Sequence, residues 1–232
     1  TPKVLKRADL MRLLTALVVH DLTRCHGSRE DKHAYYSGKQ SERAATRYEP
    51  LAAYVMLAML SGARPGEVLA IKWDDMDFDL KEIRVWGSKT QRQRAVPLHD
   101  SPALVDLLRA LKLRSDGAKH VCGDNKLGGP RAIKRTSWNR LMDMAGLDGV
   151  CPKVLRSTCV AHVASASTDS EYLLEARFGH GANVSKQHYR QPLHGLTERG
   201  ATVEGWLCIP GELRDAMAKL GPDYARLRPY LQ

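Results

Sequence analysis

The chain has 232 residues, room for one large domain or two small ones. Hydrophobic residues make up 43%, enough for a buried core, which excludes disorder over most of the chain. Lys and Arg total 36 against 26 Asp and Glu, a formal charge of +10 that points to a polyanionic partner, while 6% aromatics argues against a single-strand reader built on stacked rings.

The longest apolar run, Leu51 to Ala63, is too short to cross a bilayer, and no secretory signal opens the chain. A cytoplasmic protein with no membrane contact is expected. The five cysteines (Cys25, Cys122, Cys151, Cys159 and Cys208) show no C-x-x-C spacing and no zinc pattern with the histidines. They read as small reduced residues. The first residue is Thr1, and the chain is read as a piece of a longer protein.

In chain order, Leu10, Leu13, Leu14 and Leu17 follow helical spacing after Asp9 and predict a first amphipathic helix. Residues 24–47 are polar and patternless and read as a mobile loop or insertion. Pro50 suits a helix N-terminus, which makes Leu51 to Leu60 a buried helix, broken by Gly62. Pro65 can open a further short helix. The period then changes from about 3.6 to 2. Ile83 and Val85 alternate with polar neighbours, as do Val96 and Leu98, which predicts two antiparallel strands joined by a basic turn. Asp77 to Leu80 leads in from a third strand. Asp75, Asp77 and Asp79 begin like a calcium loop, but Leu80 stands where glycine is needed and Trp86 where the closing glutamate belongs. An acidic helix-to-strand turn is the better reading.

Helical period returns with Ser101 and Pro102 as cap and first turn before Leu104, Leu107, Leu108 and Leu111. A Gly-rich connection covers 115–130. Trp138, Leu141, Met142 and Ala145 mark a helix whose surroundings carry Arg131, Lys134, Arg135 and Arg140 as a basic face for DNA phosphates. Val154 to Ala166, Glu171 to Phe178, Val184 to Tyr189 and Leu213 to Leu220 complete the predicted helices. The fold class is mainly α with a small antiparallel β-sheet, in one domain spanning 1–232.

Four segments carry the chemistry: Ser61 to Leu69 with Arg64 at a helix break, the hairpin turn with Lys89, Lys153 to Arg156, and Phe178-Gly179-His180 followed by Tyr189. Each alone is weak. Arg64 could merely pair with Glu67, and Lys89 could be a solvated turn residue. In this order and with these gaps, the set resembles the tyrosine recombinase (phage integrase) family. Leu5 to Leu14 resembles its opening helix, Ser61 to Leu69 its first arginine box, and Leu155 to Val163 with Arg177 to Arg190 its second.

The resemblance implies the family's DNA breaking-rejoining catalytic fold and a transesterification on duplex DNA. Such a reaction needs a nucleophile, a proton for the leaving 5′-oxygen and positive charge around the non-bridging oxygens. By resemblance, Arg64 and Arg156 clamp the scissile phosphate with their planar forks. Lys89 resembles the general acid, His180 the histidine that hydrogen-bonds the phosphate, and Tyr189 the nucleophile that forms a 3′-phosphotyrosine. Neither a metal nor ATP is implied. Lys153 departs from the family, which usually has histidine three residues before its second arginine. A lysine adds charge but, with a reference pKa of about 10.4, is a poor proton acceptor near neutral pH. Its role is then electrostatic alone, or the site is weakened. Glu67 resembles the acidic residue of the first box and is expected to orient a helix or a basic partner, not to perform chemistry.

The hairpin residues Arg92 and Arg94 join the basic helix as expected DNA contacts. Expected partners are double-stranded DNA and further copies of the chain, taken as a tetramer on DNA, with room for accessory DNA-bending proteins. In the family a separate N-terminal domain clamps the other face of the duplex, and its residues are read as absent here. Residues 190–232 form a tail long enough to pack on a neighbouring protomer or on their own domain. A type IB topoisomerase-like enzyme, a catalytically weakened DNA-binding protein of the same fold and a metal-dependent nuclease built on the Asp75–Asp79 carboxylates are the competing readings.

Overall fold

The computed structural model describes residues 4–24, 50–87, 89, 91–99, 101–113, 115, 117–166, 174, 177–179, 204 and 209–218. Among them, helix α1 covers Arg7–Arg24, α2 Ala52–Ser61 and α3 Pro65–Ala70. A 3-10 turn, Trp73–Asp75, leads into strands β1 (Met76–Asp77), β2 (Glu82–Gly87) and β3 (Arg92–Pro97). Helices α4 (Pro102–Leu113), α5 (Arg135–Ala145), α6 (Lys153–Ala166) and α7 (Gly211–Ala218) follow. The mainly helical reading with a small antiparallel sheet holds. The loop expected over 24–47 and the helices expected over 171–178 and 184–189 lie for the most part outside the described residues.

Helix α2 is the centre of the core. It is apolar around its whole circumference, and every residue from Tyr54 to Ser61 is buried. A helix of that kind must be wrapped. Leu10, Leu13, Leu14 and Leu17 of α1, Leu104, Leu107 and Leu108 of α4, and Leu155, Cys159 and Val160 of α6 belong to the same buried cluster. Tyr54 meets Trp138 of α5 edge to face, with centroids 6.3 Å apart, and the indole N–H of Trp138 donates to the Val150 carbonyl at 2.8 Å. Asp21, fully buried at the far end of α1, accepts from the Leu51 and Ala52 N–H groups and so caps the N-terminus of α2. Pro50 lies just before this start, ahead of the N-cap residue Leu51.

The sheet has the order β1-β2-β3 and is antiparallel throughout. Ile83 faces Val96, Val85 faces Arg94 and Gly87 faces Arg92. The acidic turn before it is built by its own aspartates. Asp75 accepts from the Lys72 N–H at 2.9 Å, and Asp77 accepts from the N–H groups of Asp79 and Leu80 at 3.0 and 2.8 Å. These carboxylates serve backbone geometry, in line with the turn reading.

Two long-range contacts place the end of the chain. Ser101 precedes Pro102 at the start of α4, as expected, its carbonyl accepting from the Val105 N–H, and Glu204, buried, adds a cap by accepting from the Ala103 N–H at 2.8 Å. Arg214 of α7 pairs with Asp106 of α4. The described part of the tail therefore packs on its own chain. Cys122, Cys151 and Cys159 are free thiols; burial pushes Cys159 up to about 11 and Cys122 up to about 12, so both stay protonated.

Candidate active site

The site begins where α2 stops. Gly62 adopts φ +64°, the left-handed conformation that closes a helix. It also leaves no room for a side chain. A Cβ there would lie 2.6 Å from the Phe178 ring and 3.2 Å from the Cys159 sulfur. The chain then turns through Ala63 into α3, and Arg64 takes the position before its first turn, with Pro65 as the first helical residue. Glu67, three residues on, reaches back to accept from the Arg64 backbone N–H at 2.9 Å. Its other oxygen accepts from Arg64 Nη1 at 2.8 Å.

Glu67 holds a second arginine as well. Arg94 Nη2 of β3 donates to Glu67 at 2.6 Å, and the Arg94 side chain is only 8% exposed. This corrects the expectation that Arg94 faces DNA. The reason is the strand period: Arg94 shares a face with Val96, and that face is turned to the core. Burial pushes the Glu67 carboxyl up, but the hydrogen bonds from Arg94 and Arg64 outweigh it and hold the group below the usual carboxylate range. Glu67 thus orients basic partners, as expected.

The three arginines converge on three consecutive backbone carbonyls. Arg94 Nε donates to Arg177 O at 3.0 Å. Arg156 Nη2 donates to Phe178 O at 2.9 Å. Arg64 Nη2 donates to Gly179 O at 2.9 Å. Arg156, 94% buried, also donates from Nη1 to Gly62 O at 2.6 Å, tying the first arginine box directly to the second. Consecutive Cα atoms are about 3.8 Å apart, so the three guanidiniums are gathered within a few ångströms around one short stretch of backbone. Gly179 makes this approach feasible. It has φ +62°, and a Cβ would meet Arg94 Nη1 at 3.3 Å. Two of the three guanidiniums, Arg64 and Arg94, share the Glu67 carboxylate, and Arg156 bonds the backbone carbonyls of Gly62 and Phe178.

Lys153 is the first residue of α6 and is exposed, one turn before Arg156. The first turn of α6, where Lys153 stands, leaves backbone N–H groups without intrahelical partners, and these favour an anion. Lys89 is exposed in the turn between β2 and β3. His180 and Tyr189 lie outside the described residues. Of the expected DNA contacts, Arg92 is exposed at the start of β3, and Lys134 and Arg135 are exposed at the N-terminus of α5. Arg140 is half-buried. Arg131 precedes the helix instead of lying on it, and its guanidinium turns inward to the Cys122 carbonyl at 2.8 Å. The basic helix face is therefore shorter than Arg131 to Arg140. The sequence reading missed Arg94 as a partner of Glu67, and Gly179 as a position that admits it. The alternation running back from Leu98 and Val96 to Arg94 was the available signal.

This arrangement sits in a known fold. The structure matches that of XerA recombinase with a TM-score of 0.56 at 21% identity, over 84% of this chain and 62% of that one. It matches XerH site-specific recombinase bound to a palindromic difH substrate with a TM-score of 0.53 at 16% identity, over 81% of this chain and 49% of that one. The fold is that of a tyrosine recombinase catalytic domain. The sequence model of the phage integrase family matches residues 39–194, well over half of the chain. The chain belongs to the phage integrase family. Its relatives include tyrosine recombinase XerC of Corynebacterium glutamicum, 27% identical over 198 residues, with 80% of this chain and 60% of that protein aligned. Prophage integrase IntF of Escherichia coli K12 is 26% identical over 160 residues, with 67% of this chain and 34% of that protein aligned. The chain thus spans 60% or less of these relatives' length.

Proposed function

We propose that this chain is the catalytic part of a site-specific DNA recombinase that cleaves and rejoins duplex DNA through a 3′-phosphotyrosine. The observation that carries the reading is the convergence of Arg64 and Arg156 on the carbonyls of Phe178 and Gly179, immediately ahead of His180 in the sequence. Two permanently charged forks at one place are what a pentacoordinate phosphorus requires, because its non-bridging oxygens carry the developing charge. In the reaction, the Tyr189 hydroxyl oxygen attacks phosphorus and gives up its proton to water. The bond to the 5′-oxygen breaks, and Lys89 delivers a proton to that oxygen. His180 donates a hydrogen bond to the phosphate, and Lys153 adds charge at the α6 N-terminus. The phosphotyrosine ester conserves the energy of the broken bond, so a strand with a free 5′-hydroxyl can reverse the step without ATP. The arginines and lysines supply the positive charge that metal ions provide in other phosphoryl-transfer sites.

Duplex DNA is the substrate and partner, gripped through phosphate contacts from Arg92, Lys134, Arg135 and Arg140. Recombination pairs two sites, which calls for further copies of the chain as a tetramer, with accessory DNA-bending proteins joining at some sites. The place of action is the DNA of the cytoplasm. No helix among the described residues is long and apolar enough to cross a membrane.

The test is a library of nicked duplexes of random sequence, incubated with protein in chelator and without nucleotide. Cleavage next to a nick releases a short fragment and traps the enzyme on DNA. A denaturant-resistant adduct that disappears in Tyr189→Phe is expected. No adduct from folded protein across the library, or an adduct that survives Tyr189→Phe, would overturn the reading.

A further inference from the structure

We propose that Arg94 is a positioning residue that fixes the Lys89 hairpin over the phosphate site, acting on catalysis through Lys89. The proposal rests on the recombinase reading and deepens it.

Arg94 is the last side chain of β3 turned inward before the turn; Gln93 and Arg92, the two residues nearer Lys89, are exposed, as is Trp86 across the ladder. Among the described residues beyond Arg94, Trp86, Lys89, Gln91, Arg92 and Gln93 are exposed, while Gly87 is buried. The Arg94 side chain reaches two different elements at once. Nη2 binds Glu67 of α3 at 2.6 Å, and Nε binds the Arg177 carbonyl at 3.0 Å. Nη1 is buried against Gly179 and finds no acceptor among the described residues. Arg64 is on the other side of the same Glu67 carboxylate. The hairpin base, the first arginine and the backbone ahead of His180 are therefore one connected unit with Arg94 as its joint. At about 3.3 Å of rise per residue, the anchor lies about 7 Å from the end of the ladder at Arg92. A short lever of this kind transmits a small displacement at the anchor to the turn that carries Lys89.

A fork is needed to make this joint. Lysine at the same position can keep the charge beside Glu67, but its single ammonium cannot also reach the Arg177 carbonyl in the fixed geometry of a guanidinium. Arg94→Lys is thus a variant that preserves the ion pair and loses the anchor.

The experiment measures single-turnover cleavage of two nicked duplexes, one ordinary and one with sulfur replacing the bridging 5′-oxygen. A thiolate leaves without a proton, so the second substrate does not need Lys89. Lys89→Ala, Arg94→Lys, Arg94→Ala and the Lys89→Ala/Arg94→Lys double variant are compared, each checked for a wild-type-like circular dichroism spectrum. Arg94→Lys should slow cleavage of the ordinary duplex by about 10–100-fold, the cost of an ångström-scale misplacement, and regain most of that on the sulfur duplex. The double variant should be no slower than Lys89→Ala alone, because both changes remove the same proton delivery. Three results would overturn the proposal: an unchanged rate in Arg94→Lys, an equal loss on both substrates, or losses that multiply in the double variant. If Arg94→Ala does not fold, Arg94→Lys decides. Failure of wild-type protein to form an adduct on either duplex removes the recombinase reading itself, and with it this proposal; it is distinguished by affecting the unmutated chain.

Discussion

Replacing Gly62 with alanine tests the junction between the two arginine boxes. Gly62 has φ +64°, and its carbonyl accepts from Arg156 at 2.6 Å. Two costs follow from the geometry. An alanine forced into the left-handed region loses about 1 kcal/mol relative to glycine. Its Cβ would also start 2.6 Å from Phe178 Cε1 and 3.2 Å from the Cys159 sulfur, both buried, so the ring must move. Overpacking of that kind costs about 1–3 kcal/mol. Together they predict about 2–4 kcal/mol, or a fall in Tm of roughly 5–15 °C for a domain of this size. Urea and thermal denaturation of Gly62→Ala measure it. The clash component should shrink when Phe178 is shortened, so Gly62→Ala with Phe178→Leu should be less destabilised than the sum of the two single variants. A loss below about 1 kcal/mol, or strict additivity, would refute the reasoning that Gly62 and Phe178 are in steric register.

Two further outcomes are expected. Glu67→Gln removes a carboxylate, 1% exposed, that serves two arginines, and should cost about 2–4 kcal/mol at pH 7. Because the folded Glu67 carboxyl lies below its usual range, that contribution is complete above the unfolded value of about 4.3 and is lost as pH falls through it toward the folded value. The gap between wild type and Glu67→Gln should therefore narrow from pH 5 to pH 3 in urea titrations; a gap of constant size refutes the assignment. Glu204 behaves in the opposite sense, since burial raises its carboxyl despite the Ala103 and Leu104 N–H groups. A neutral amide can still accept from Ala103, so Glu204→Gln should stay within about 0.5 kcal/mol of wild type. Glu204→Ala should lose about 1–2 kcal/mol of the α4 cap, and equal losses in both variants would show that the cap is not the contribution.

The fold class and most elements were legible because hydrophobic periodicity is local. Leu10 to Leu17 and Leu104 to Leu111 present one face at helical spacing, and the switch to period 2 at Ile83 and Val96 marks the hairpin. The family was legible from the spacing of Arg64, Lys89, Arg156, His180 and Tyr189, and the family match over residues 39–194 bears out the family. Local patterns carry no information about which end meets which. The caps show this: α2 is capped by Asp21 and α4 by Glu204, side chains far away in sequence that no window over the helix start contains.

The sequence by itself determined the class of protein, the basic surplus and the residue types a phosphate site needs. The tertiary structure alone decided where that charge goes. Arg94, one more arginine in a basic turn when read along the chain, is turned into the protein by the pleat that also buries Val96. There it shares Glu67 with Arg64. Arg131 is likewise taken up by the Cys122 carbonyl. A charge becomes a grip on DNA or a brace for the site according to what lies within hydrogen-bond distance, and that depends on packing between elements distant in the chain.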